Sequence, residues 1–345
     1  MKTLLFLAVM LLAIHAAIAN IIIYPQTSIS LNGNLHISIR NMDLSITTST
    51  KVDSTVTIAL YSKADKHFEI IGDTLYFGNL KIGGNYSLNA YSKFVSITGN
   101  ITMMENGVLN VTDNDVLLNG SIKDESNNCY ITGSTGKIIK RIALQQEAIE
   151  TGIGLSFSVF DRHSTNIEVQ RFFEPSIRKD KEGVKRLYKF SEPLTLGNLD
   201  FRYLLRELNG IEDPVLCVYT QEKGIWDMIF SRHNNSRQTI SGKSISKTEN
   251  VEQVSIFSYP ELSFPLYFTP NGDGINDFYV IEGIEKYENT VFTVLDNTGK
   301  QIFRACPYMN NFTGSNLKDG TYYFVFKRSV NDNTPYKRGT FEIIR

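Results

Sequence analysis

Between Leu35 and Leu118, apolar residues return at every second position in short runs, and the runs are separated by glycine and asparagine pairs. Leu35-Ile37-Ile39, Leu44-Ile46, Val56-Ile58-Leu60, Leu80-Ile82 and Tyr86-Leu88 keep the period; Asn32-Gly33, Gly83-Gly84, Gly99-Asn100, Asn106-Gly107 and Asn119-Gly120 interrupt it. Side chains that alternate across the backbone make strands. Gly and Asn supply the positive φ that a tight turn demands. No i, i+3, i+4 spacing is sustained, so the text excludes an α-rich fold and predicts an all-β chain. Ala143–Ile149 is the one stretch before the middle of the chain with a plausible helical character.

Three β regions follow from the spacing of the runs. Residues 20–142 read as stacked β-coils or as a sandwich. The near-regular Gly/Asn corners favour the β-solenoid, in which each coil buries one face on its neighbour. Val108-Leu109-Asn110-Val111 and Val116-Leu117-Leu118-Asn119 look like two successive rungs. Residues 145–261 carry longer, more aromatic strands, among them Ile167–Phe173, Leu199–Leu205 and Val215–Tyr219, and are expected to form a β-sandwich. Pro260 and Pro265 mark the next boundary, after which residues 262–345 have room for one small sandwich.

Charge narrows the function. Lys and Arg total 35 against 36 Asp and Glu, which leaves no basic excess to neutralise nucleic-acid phosphates, so no nucleic-acid partner is expected. Lys2 followed by the apolar run Leu4–Ile14 and then Ala17-Ile18-Ala19 has the order of a secretory signal peptide, residues 1–19, with cleavage near Ala19. The three cysteines, Cys129, Cys217 and Cys306, are too sparse and too far apart for a disulfide framework or a zinc site; they read as small buried hydrophobes.

No catalytic residues are assigned. His36, His67, His163 and His233 are scattered without metal-ligand spacing, and neither a nucleophile elbow nor a phosphate loop occurs. Asp161-Arg162-His163 is the best cluster, but neighbours on a strand point to opposite faces. Asp113 and Asp115 alone are thin support for a solenoid lyase. Trp226 reads as a core plug.

One motif is specific. Phe268-Thr269-Pro270-Asn271-Gly272-Asp273-Gly274-Ile275-Asn276-Asp277 places two glycines among amide and carboxylate side chains that can accept nearby backbone N–H groups. Asn271, Asp273 and Asp277, with the carbonyl of Ile275, also make a partial likeness to a calcium loop, although the distal bidentate Glu of an EF-hand is missing. With Gly320-Thr321-Tyr322-Tyr323-Phe324 and Gly339–Arg345, this stretch resembles the gliding motility-associated C-terminal domain, the type B sorting domain of the type IX secretion system of Bacteroidetes. The resemblance covers residues 265–345 and implies that Thr269, Pro270, Asn271, Gly272, Asp273, Gly274, Asn276 and Asp277 form the sorting motif. It implies the type IX translocon and an outer-membrane protein of the PorP/SprF type as partners, and a final location at the cell surface or in the medium. Val169-Gln170-Arg171-Phe172-Phe173, Phe201-Arg202-Tyr203 with Glu207-Leu208, and Gly224-Ile225-Trp226 resemble, more loosely, a β-sandwich module of surface proteins from the same phylum.

Two functional classes fit. The first is a non-enzymatic exported protein with an adhesive, structural or motility-associated role, binding a surface polysaccharide or protein. The second is a secreted carbohydrate-binding or carbohydrate-active protein. The first has the better support, because no catalytic set accompanies the strands. A groove with clustered carboxylates or exposed aromatics would favour the second.

Overall fold

A computed structural model describes residues 20–23, 36–41, 43–47, 56–71, 75–144, 148–160, 166–212, 216–234, 236–243, 250–258, 261–284, 287, 289–333 and 335–345. The segment 1–19 and the Asp161-Arg162-His163 cluster lie outside them. No α-helix occurs among the described residues; a 3-10 turn, Leu205–Glu207, interrupts the strands. Ala143 ends a strand and Ile149 begins another. The expected helical character at 143–149 is therefore not present in the described part of that stretch.

The first region is a three-sided β-solenoid. One coil runs through strands Asn79–Gly83, Asn85–Ala90 and Phe94–Ile97, the next through Ile101–Met103, Val108–Asn110 and Asp115–Leu118. Each strand pairs in parallel with its counterpart one coil away. Ile58 lies beside Leu80, Leu80 beside Ile101 and Ile101 beside Ile122, a step of 22, 21 and 21 residues. Val108–Asn110 and Asp115–Leu118 are consequently two sides of one coil, since Leu109 pairs with Tyr86 and Ile131. They are not successive rungs: the text at 107–120 repeats by side, the fold by coil.

The alternation explains the stack. Leu60, Ile82 and Met103 are buried one above another, as are Val95, Val116 and Ile138. Corners are held by asparagine. The Asn79 side-chain oxygen accepts the Asn100 N–H at 2.9 Å, and that of Asn100 accepts the Ser121 N–H at 2.9 Å. Fully buried Asn114 takes the Ala90 N–H and donates to the Leu88 and Val111 carbonyls, which leaves its polar atoms satisfied. At Gly120 an added Cβ would lie 2.2 Å from the Gly99 carbonyl oxygen, so the corner closes only without a side chain.

The solenoid passes into the sandwich without a break. Its last strand, Lys137–Ala143, pairs antiparallel with Asn166–Phe172 over its whole length. One hydrophobic core then runs from Ile39 to Ile256. Leu187–Arg202, 16 residues long, belongs to both sandwich sheets. Its first half pairs with Asn166–Phe172 and Asn250–Ser258, its second half with Leu155–Val159 and Thr239–Lys243. The expected boundary at 142–145 thus falls inside a continuous sheet.

Where the two parts meet, Glu125 of the last coil, Arg171, Arg186 and Glu207 form a buried ionic cluster. Arg171 donates to both Glu125 oxygens at 2.9 and 2.7 Å, and Arg186 donates to Glu207 at 2.7 and 3.1 Å and to Glu125 at 3.4 Å. Gly154, at φ 97°, passes so close that a Cβ would meet Arg186 at 2.6 Å. Burial works against ionising Glu125, but the charges of Arg171 and Arg186 outweigh it and hold the carboxyl down at about 2.

Residues 262–345 form a separate core under a five-stranded sheet ordered Tyr267–Phe268, Lys337–Ile343, Gly320–Lys327, Val291–Leu295, Gln301–Ala305. The core is largely aromatic, with Phe268, Tyr279, Phe292, Tyr308, Phe312, Phe324 and Phe341 in mutual ring contact. The segment Phe278–Ile281 is irregular; the Tyr279 N–H goes to the Phe312 carbonyl and that of Ile281 to the Asn310 side chain.

Candidate recognition site on the C-terminal domain

All eight residues of the sequence motif fall in one turn between the edge strand Tyr267–Phe268 and the irregular segment that begins at Phe278. Thr269 closes it, its N–H donating to the Asn276 carbonyl at 2.8 Å. Pro270 follows with its restricted φ. Gly272, Gly274 and Asn276 then take φ of 83°, 88° and 55°. Left-handed residues at every second position turn successive N–H groups toward one side, a nest for negative charge. The loop fills that nest with its own carboxylates. Asp277 accepts the Gly272 and Gly274 N–H groups at 2.7 and 2.8 Å, and Asp273 accepts that of Ile275 at 2.8 Å. Asn271 accepts the Asp273 N–H and donates its amide to the other Asp273 oxygen, both at 3.0 Å.

That pattern decides what the loop can do. Every side-chain oxygen of Asn271, Asp273 and Asp277 accepts a hydrogen bond from within the loop. Calcium requires about six to eight oxygens converging on one point, and among the described residues no group of three His, Cys, Asp or Glu is placed to hold a metal ion. In this structure those oxygens fix an exposed turn through hydrogen bonds made within the loop.

The turn carries an apolar rim that motif reading missed. Leu266, Tyr267, Ile275, Phe278 and Val280 are all exposed, Leu266 and Ile275 by 79% and 67%. The signal was the same alternation used elsewhere: Phe268, Tyr279 and Ile281 point into the core, so their neighbours point out. The chain end is held beside this region. Arg345 donates to Asp319 at 2.7 Å and to the Gly314 and Leu317 carbonyls at 2.8 and 2.9 Å.

Other sequence candidates resolve into structure. Asp113 pairs with Lys93 at 2.8 Å and Asp115 with Lys137 at 2.7 Å, each bridging adjacent coils. Hydrogen bonding from Lys93 lowers the Asp113 pKa. Trp226 packs edge-on against Phe257 at 5.2 Å. Arg171 and Glu207, noticed as parts of a surface-module texture, belong to the ionic cluster at the solenoid junction. Cys129 and Cys217 are buried and Cys306 is exposed, all three as free thiols.

Residues 262–343 match the family model described as the CHU_C Type IX secretion signal domain. No curated protein and no solved structure matches the chain. The match coincides with the separate aromatic core. It identifies the C-terminal domain as a type IX sorting signal and the chain as one exported to the cell surface or the medium.

Proposed function

We propose that the chain is a non-enzymatic surface or secreted protein whose solenoid and sandwich form one rigid body, delivered by the C-terminal domain and used for adhesion, surface structure or motility. The observation that carries the routing is the agreement between the signal-domain match at 262–343 and a domain with its own closed core. The exposed turn at 269–277, with Ile275, Phe278 and Tyr267 around it, supports reading by the type IX translocon and an outer-membrane protein of the PorP/SprF type. Apolar side chains displayed on a rigid turn are suited to partner contact. The signal peptide at 1–19 supplies the first membrane crossing in this scheme.

Deleting residues 262–345 in the native bacterium is expected to leave the protein in the periplasm, detected by cell fractionation. Normal surface display of the shortened chain would remove the sorting role. Replacing Ile275, whose side chain makes none of the turn's hydrogen bonds, with Asp is expected to lower surface display without trapping an unfolded product.

A further inference from the structure

Sheet residues that share a row can be read from the register. Glu150 lies opposite Ser156, Ser156 opposite Asp200 and Asp200 opposite Ser241. The four side chains therefore project from one face of the sheet, while Ile149, Leu155, Leu199, Phe201 and Ile240 fill the other. At about 4.8 Å per strand, the row is about 14 Å long. A second row, Arg202, Thr239 and Asn234, runs beside it.

An outer sheet face is ordinarily open to water. Here the last solenoid coil borders it, with the Ile122 N–H donating to the Gly152 carbonyl at 2.8 Å. Gly152, at φ 72°, lets Ser121 come so near that an added Cβ would lie 2.3 Å from its hydroxyl. The result is a groove of about 600 Å³, with Lys123 and Arg237 also on its walls. That volume lies within the range of about 300–1,000 Å³ typical of ligand sites, and a junction between two structural units is a common place for them.

We propose that this groove binds a neutral oligosaccharide. Among the described residues its lining contains no aromatic ring on which an apolar ligand could stack. Carboxylates at Glu150 and Asp200 in the central row oppose a polyanion, while Lys123 and Arg237 oppose a polycation. Within the described residues, no protein group hydrogen-bonds the side chains of Glu150, Asp200, Ser241 or Arg237. A sugar hydroxyl both donates and accepts, so adjacent hydroxyls can serve the carboxylates and the cations in turn. The inference deepens the reading of the chain as a surface-binding protein and does not depend on its route of export.

The test uses the purified full chain and a panel of cello-, laminari-, xylo-, manno- and chito-hexaose in titration calorimetry. At least one is expected to bind. Asp200→Ala and Glu150→Ala should each weaken binding about tenfold, since each removes a charged acceptor, and Ser241→Arg should block the groove. Glu69→Ala, on the solenoid surface, should change nothing. Affinity should hold between about 50 and 500 mM salt, as a neutral ligand requires. These sheet residues point outward, and unchanged melting temperatures would confirm that the variants fold. No binding across the panel at about 10 mM overturns the proposal, on the affinity scale where even weak sites register. So does binding that Asp200→Ala and Ser241→Arg leave intact. Sugar cleavage would support the groove and overturn only the non-enzymatic reading; failure of surface display would overturn only the routing.

Discussion

At Glu125 one carboxylate answers two guanidinium groups in a place water does not reach. Truncating it would leave Arg171 and Arg186, both fully buried, short of a counter-charge. Breaking a buried pair from one side costs about 3–5 kcal/mol, so Glu125→Ala is expected to lower stability by that amount in urea unfolding. The pH dependence follows from direction. Glu125 titrates at about 2 in the folded chain against 4.5 as a free group. Its stabilisation is therefore complete above about pH 4.5 and is lost as the pH falls toward 2, on the order of 3 kcal/mol in all. In Glu125→Gln the acid limb of the stability curve should flatten over that window. An unchanged limb would show that the cluster does not couple folding to protonation. Burial also keeps the Cys217 thiol protonated, pushing it up to about 12, which makes it unreactive while covered.

Strands are stabilised here by neighbours 21 or 22 residues away, and this distance determines what the sequence could reveal. Period-two runs such as Val56-Ile58-Leu60 and corners such as Gly99-Asn100 were legible because they are local. The three-sided closure was not. Successive coils share burial and a corner asparagine, as at Asn79 and Asn100, but no strict residue repeat. Two sides of one coil at 108–118 therefore passed for two rungs. The turn at 269–277 was legible as a turn, since its hydrogen bonds close within nine residues; its apolar rim and the groove at Asp200 required the pairing register. The pairing across the junction was hidden for the same reason. Lys137–Ala143 and Asn166–Phe172 share one ladder, and Glu125 reaches Arg171 across 46 residues of chain. The segment 145–261 alone would lose its partner strand and Glu125, one of the two carboxylates of the charged cluster. It is expected to show no cooperative thermal transition, whereas 20–261 should melt as one unit. A sharp transition in the isolated segment would return the boundary to 142–145.

Over the whole molecule the sorting domain rests against its cargo. Tyr287 and Arg328 of the sorting domain act electrostatically on Cys217 of the sandwich, and Tyr287 also feels Tyr219; just before the domain, Glu261 pairs with Lys181 at 2.5 Å. Cys217, Tyr219 and Phe257 are buried there in a small cluster of their own. In the full chain a maleimide reagent is expected to label Cys306 and spare Cys217; in 20–261 it should label Cys217. Protection of Cys217 in both would place its cover within the sandwich itself. The coil step has a different consequence. Because each coil meets only the one before and the one after, copying residues 80–100 in tandem adds a layer of about 4.8 Å and alters neither end. The solenoid is thus an adjustable spacer, and simple duplication within a gene can set how far the sandwich and its groove stand from the N-terminal end of the stack.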